Sequence, residues 1–326
     1  VMAVMNMVQA INSALANELG ADPNVVVFGE DVGRDGGVFR VTEGLQDRFG
    51  QDRVFDTPLA ESLIAGMALG MAMNGLRPVA EIQFMGFSYL ALPMMISNAA
   101  RMRTRTRGAL TAPMVLRMPY GGGVKALEHH SESTEALYAQ IPGIKVVVPA
   151  APREAKGLLI SSIRDPDPVV FLEPTRSYRL IKEEVEEDEF TIPLGRARTV
   201  REGDDVTVVG WGAMMPLIAK AAEAAGNEGI SCEVIDMRTL SPMDAGAVIS
   251  SVKRTGRCVV VQEAPRTCGV AAEIVARINE KALLSLEAPV ERVTAPDITP
   301  PLPQGENYYY LSPDRIYNAI KRAAAF

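Results

Sequence analysis

Short, almost purely apolar runs recur along this chain, and stretches with helical periodicity separate them. Asn24–Gly29, Pro78–Ile82, Pro113–Arg117, Lys145–Val148 and Pro168–Leu172 are the runs of the amino-terminal part. Strands without apolar/polar alternation must be covered on both faces, as happens when helices cross between parallel strands. The spacing predicts helices at about 5–19, 60–73, 88–103 and 152–163. The rhythm stops at Lys182–Glu189, where acidic residues crowd together. Like charges repel in a packed core, so a solvated linker is expected there, with an acidic binding patch as the alternative. Strands then return at Asp205–Val209, Ser231–Ile235 and Arg257–Val261, with helices near 213–225, 242–252, 269–283 and 313–325. The expectation is an α/β chain of two units, 1–181 and a smaller 205–326, joined by an acidic linker, 182–204.

Composition narrows the partners. A formal net charge of −7 argues against a general nucleic-acid binder. Three cysteines, Cys232, Cys258 and Cys268, lack zinc-ligand spacing and suggest a reduced intracellular chain. The most apolar helix candidate, Leu63–Met73, is too short to span a bilayer and ends at Asn74–Gly75. The first residues carry no secretory pattern of basic, apolar and cleavage regions.

Four places attract a chemical reading. The two histidines of the chain, His129 and His130, are adjacent and follow Gly121–Gly123. Histidine titrates nearest neutral pH, so the pair marks either acid–base chemistry or exposed polar surface. Glu61 opens a helix of small apolar residues that Asp56, Thr57 or Pro58 would start. On pattern alone it reads first as a helix-dipole partner and second as a semi-buried catalytic carboxylate. Gly66 and Gly70 share one face of that helix, which suggests a backbone packed closely there. Glu30 and Asp31 end the first apolar strand and lead into the glycine-rich Gly33–Gly37, either a phosphate cradle or a plain turn-rich loop. Arg101, Arg103, Arg105 and Arg107 lack interleaved aromatics, so a subunit contact or a solvated face is expected.

Taken together, the segments Gly29–Gly33, Gly36–Phe39, Thr42–Leu45, Arg53–Glu61, Arg77–Phe84 and His130–Ser133 resemble the β chain of thiamine-diphosphate-dependent 2-oxo acid dehydrogenases. The likeness continues through Pro142–Val147, Ala155–Leu159, Ile163–Asp165, Pro168–Glu173, Leu240–Pro242 and Ser285–Pro289, and so covers essentially the whole chain. It implies a parallel-sheet pyrimidine-binding domain followed by a smaller transketolase C-terminal-type domain. It also implies that Glu61 hydrogen-bonds the aminopyrimidine and promotes its imino tautomer, and that Phe87 stacks on that ring. His130 would contact the substrate adduct and assist acyl transfer to a lipoyl group, with His129 a neighbour shaping the loop. Glu30 would belong to a proton relay between paired active sites. A potassium site of some relatives maps near Met114, Ser162, Asp165 and Asp167, with Pro166 and Asp167 departing from their pattern.

The family's diphosphate and magnesium motif, Gly-Asp-Gly followed by an Asn pair, is not found; Asp35–Gly37 is no match. The resemblance therefore implies thiamine diphosphate shared with an α chain that holds magnesium, in a heterotetramer of two α and two β chains. A lipoyl acyltransferase core would dock near Leu283, Glu287 and Phe326. The expected reaction is oxidative decarboxylation of a 2-oxo acid, pyruvate first, with branched-chain and acetoin relatives as alternatives. A non-catalytic α/β scaffold is the reading from another class. The expected location is the cytoplasm of a bacterium or archaeon, or the mitochondrial matrix of a eukaryote.

Overall fold

The computed structural model describes residues 1–326. Fourteen strands are present: β1 (Met2–Met5), β2 (Val25–Gly29), β3 (Val54–Asp56), β4 (Arg77–Glu81), β5 (Val115–Tyr120), β6 (Lys145–Val147) and β7 (Val169–Pro174) come first. They are followed by β8 (Glu183–Glu186), β9 (Arg198–Arg201), β10 (Val206–Gly210), β11 (Cys232–Asp236), β12 (Thr239–Ser241), β13 (Cys258–Pro265) and β14 (Glu291–Ala295). The larger sheet has the order β12-β6-β7-β5-β4-β2-β3, and all its pairings are parallel except that of β12. The smaller sheet runs β14-β13-β10-β11-β9, with β9 antiparallel. Strands β2, β5, β7, β10 and β11 are buried at every residue, which is why they carry no polar alternation. Each fully buried Val, Leu or Ile side chain contributes roughly 1.5–3 kcal/mol.

Helices Met7–Ala21 and Pro152–Arg164 cover one face of the larger sheet. Helix Glu61–Met73 covers the other face, within an apolar cluster that also takes in Trp211, Ile235 and Val260 of the second unit. The two units therefore share a core. No helix is long and apolar enough to cross a membrane.

Two expectations are corrected. The helix expected over 88–103 is a series of short pieces, a 3-10 turn at Met85–Leu90, a helix at Leu92–Ser97 and further turns to Arg105. Pro93 lacks an N–H and clashes with the carbonyl four residues back, so it is accommodated only in the first turn of a new helix. The acidic stretch is more than a solvated linker, because Glu183–Glu186 pairs as β8 with β1. Its charge is met by helix Pro152–Arg164. Arg153 pairs with Glu186 at 2.6 Å and Arg164 pairs with Glu189. The buried Lys156 ammonium donates to the carbonyls of Glu186 and Glu187 at 2.6 and 2.7 Å. Two ion pairs and two ammonium-to-carbonyl hydrogen bonds turn a repelling run into an edge.

Candidate active site at the carboxyl ends of the strands

Because β2, β3, β4 and β5 are parallel, the loops that follow them emerge at the same end of the sheet. Open α/β sheets bind ligands at this end. Glu30 follows β2, Glu61 follows β3 by five residues, Phe87 follows β4, and His130 sits in the long loop after β5. Two features bind these loops together. Gln83 Nε2 donates to Asp31 Oδ2 at 3.0 Å, and Ser62 Oγ donates to the Leu90 carbonyl at 2.7 Å.

Glu61 is the first residue of helix Glu61–Met73 and is 7% exposed. None of Asp56, Thr57 or Pro58 caps this helix, contrary to expectation; Ala60 stands at the cap without a side-chain bond. Asp56 is drawn elsewhere, accepting from the Gly33 and Arg34 amides at 2.6 and 3.2 Å. With those amides taken by Asp56 and Gly37 donating to the Asp31 carbonyl, Gly33–Gly37 is a turn-rich loop rather than a phosphate cradle. Burial raises the Glu30 pKa, and the negative charges of Asp31 and Glu61 raise it further.

An aromatic cluster forms the neighbouring wall. The Phe84 ring meets His130 edge-on at 4.5 Å and Phe87 at 5.6 Å. Phe87 stands 5.3 Å from both His129 and His130. Gly86 allows this approach, since a Cβ there would run into the His129 carbonyl. The histidines lie in a 3-10 turn, Glu128–His130, with ring centroids 4.6 Å apart. They differ chemically. His129 is more open and lies 3.6 Å from the Glu128 carboxylate. His130 Nδ1 is buried without a partner. Burial lowers the His130 pKa, and the neighbouring His129 lowers it further, so its imidazole is neutral at pH 7. Phe84 and Gln83 escaped the sequence reading as site residues; their signal was only their place at the end of a buried strand.

Met114, Ser162, Asp165 and Asp167 lie at the opposite, amino-terminal ends of β5, β6 and β7. Their side-chain oxygens are already engaged. Lys145 Nζ contacts the Asp165 carboxylate at 2.5 and 2.7 Å, Arg103 contacts Asp167 at 2.8 Å, and Ser162 Oγ donates to the Leu158 carbonyl. A cation here would have only main-chain carbonyls to hold it. The four arginines from Arg101 to Arg107 are all exposed.

Residues 3–181 match the family described as "Transketolase, pyrimidine binding domain", and residues 195–316 match "Transketolase, C-terminal domain". The chain is 54% identical over 325 residues to a pyruvate dehydrogenase E1 component subunit beta of Bacillus subtilis, covering 100% of both. A protein of the same description from Acholeplasma laidlawii is 52% identical over 323 residues, with 99% of both covered. A solved structure titled "Split gene transketolase, inactive beta4 tetramer" superposes with a TM-score of 0.81 at 22% identity over 98% of both chains, a likeness of fold. The chain belongs to the transketolase-like β chains of the thiamine-diphosphate-dependent 2-oxo acid dehydrogenases.

Proposed function

We propose that this chain and an α chain together decarboxylate pyruvate oxidatively and pass the acetyl group to a lipoyl carrier. One observation carries the reading. At the carboxyl ends of β2 to β5, a buried carboxylate, an aromatic wall and a buried imidazole nitrogen without a partner converge. These residues fit the pyrimidine half of thiamine diphosphate. When bound, that cofactor supplies the carbanion chemistry. Glu61, 7% exposed at the start of its helix, would hydrogen-bond the pyrimidine nitrogen and exchange a proton there. Phe87 offers its ring to the pyrimidine. His130, neutral and with Nδ1 free, meets the reacting group and assists acyl transfer. Glu30 relays protons beside Glu61. The diphosphate and its magnesium ion belong to the α chain.

Two surfaces support the partners. Leu63, Gly66, Gly70 and Met73 form an open stripe along helix Glu61–Met73, flanked by Leu59 and Leu90. A Cβ added at Gly70 would meet nothing within 4 Å, and one at Gly66 only the Met94 side chain at 3.8 Å, so packing within this chain requires neither glycine. A helix of another chain packing there accounts for both, in keeping with a tetramer of two α and two β chains. Leu283 and Phe326 are exposed and line a groove of about 420 Å³ that includes Glu287 and Pro289. This is the surface for the acyltransferase core.

Reconstitution with the α chain tests the function. With an artificial electron acceptor, kcat/KM is expected to be highest for pyruvate among pyruvate, branched 2-oxo acids and acetoin. A preference for a branched acid would overturn the substrate, and no turnover with any would favour a scaffold. His130→Ala is expected to lower acyl transfer to a lipoyl domain by roughly 10²–10⁴-fold, while artificial-acceptor turnover falls far less. Because the His130 pKa is lowered from 6.5, the acid limb of acyl transfer should lie below that value and vanish in the variant. A limb that survives the substitution belongs to another group.

A further inference from the structure

The triple glycine Gly121–Gly123 is where the second unit touches the histidine loop. Gly122 N donates to Glu263 Oε1 at 3.0 Å, and Gly123 N donates to Glu306 Oε1 at 2.7 Å. Tyr310 OH donates to the Ser131 carbonyl at 3.0 Å, one residue beyond His130. Glu263, Glu306 and Tyr310 are 2%, 5% and 7% exposed. No side chain fits on the loop at these points. A Cβ at Gly121 would stand 2.7 Å from Glu263 Oε2, one at Gly122 would enter the Tyr310 ring, and one at Gly123 would stand 2.6 Å from Arg176 Cγ. Gly121 and Gly123 also take φ of +77° and +113°, values that suit glycine. The opposite end of the loop is held as well, since Trp211 Nε1 donates to Glu135 Oε1 at 3.3 Å.

A carboxylate buried in this way is costly unless it is paired. Burial raises the Glu263 pKa, while the Gly122 N–H and the Arg176 charge hold it down. The Glu263 carboxyl is thus committed to the loop, and its second oxygen has no partner.

We propose that Glu263 is a positioning residue for His130, holding the 121–131 loop by its backbone from the second unit, with Glu306 and Tyr310 completing the grip. This rests on the reading of His130 as the acyl-transfer residue. Chemistry that depends on a placed imidazole is sensitive to displacement, since an error of about 1 Å costs as much as 10²-fold.

The test uses the assembled α/β complex with Glu263→Leu, Glu263→Gln, Tyr310→Phe and His130→Ala. Two quantities are read for each: hydrogen exchange of the amides in 121–131, and acyl transfer to a lipoyl domain relative to artificial-acceptor turnover. Glu263→Leu keeps volume but removes the acceptor. It is expected to speed exchange across the loop and to lower the acyl-transfer ratio by about 10²-fold. Glu263→Gln retains an acceptor oxygen and is expected to rescue most of both. Tyr310→Phe should show a smaller change centred on 129–131. Wild-type exchange and a wild-type ratio in Glu263→Leu overturn the proposal, as does a Gln variant as impaired as Leu. Should the Leu variant fail to assemble, unchanged exchange and ratio in Tyr310→Phe overturn it instead. His130→Ala separates the two claims. If it transfers acyl groups normally while Glu263→Leu still frees the loop, the His130 role fails and the backbone grip stands.

Discussion

Glu61→Gln in the assembled complex is expected to lower turnover by roughly 10²–10⁴-fold, the range that a placed acid–base group supplies. Glutamine has the same size and still hydrogen-bonds, so packing at the first turn of helix Glu61–Met73 survives. It has no exchangeable carboxyl proton, so the role proposed for Glu61 is lost. The loss should be equal with a lipoyl domain and with an artificial acceptor, because Glu61 is assigned to a step that precedes both. That pattern distinguishes it from His130→Ala, which splits the two assays. In the cofactor-free protein the substitution also removes one of the negative charges that raise the Glu30 pKa, so Glu30 should titrate lower there in the variant. Steady-state kinetics on the reconstituted complex measures the effect, and turnover at the wild-type level would remove Glu61 from the chemistry.

Arg117→Met is expected to cost about 3–5 kcal/mol of stability, the scale of breaking a buried ion pair from one side. Arg117 is 1% exposed in the middle of β5. It pairs with Glu81 on β4 and binds Glu173 on β7 through Nε at 2.7 Å and Nη2 at 2.9 Å. Tyr178 OH donates to the same Glu173 carboxylate at 2.6 Å. One guanidinium thus ties three adjacent strands beneath the active-site end. Without it, two carboxylates remain in the core. Burial already raises the Glu173 pKa above 4.5, with the Arg117 charge and the Tyr178 hydroxyl holding it back. In the variant the folded state therefore binds a proton that the unfolded chain releases at a lower pH. Stability then falls as pH rises from the ordinary carboxylate range through the raised folded value. The deficit should be smaller at pH 5 than at pH 8 in urea unfolding of the complex. A deficit independent of pH would mean that lost packing, not orphaned charge, dominates.

The sheet interior was legible because its strands are uniformly apolar, and the long helices because their periodicity is unbroken. Strands β3, β9 and β12 escaped, being three or four residues long with no pattern of their own. The polar stretch at 182–189 was misread in part because its partners, Arg153 and Lys156, lie some thirty positions away and belong to a helix that looked self-sufficient. In the candidate site, Glu30, Glu61 and His130 drew attention by pattern, but their roles, and Phe87 altogether, came from a family likeness. Periodicity alone would have left Glu61 a helix-end charge and Phe87 a core residue. The grip on the histidine loop was invisible for a physical reason. Its hydrogen bonds join residues 141 to 183 positions apart, and only tertiary packing brings such groups within 3 Å.

Strand β12 lies in the second half of the sequence yet completes the larger sheet, pairing Thr239 with Val147 and Ser241 with Val146. The covalent boundary between the units and the hydrogen-bonded boundary are therefore different lines. Until residues 239–241 are in place the larger sheet ends at β6, and an uncovered strand edge is a template for unwanted pairing. Closure waits for a piece synthesised later, so the amino-terminal unit is finished by its successor. The same stitch that completes the sheet brings the second unit to the first, where it can take hold of the loop bearing His130.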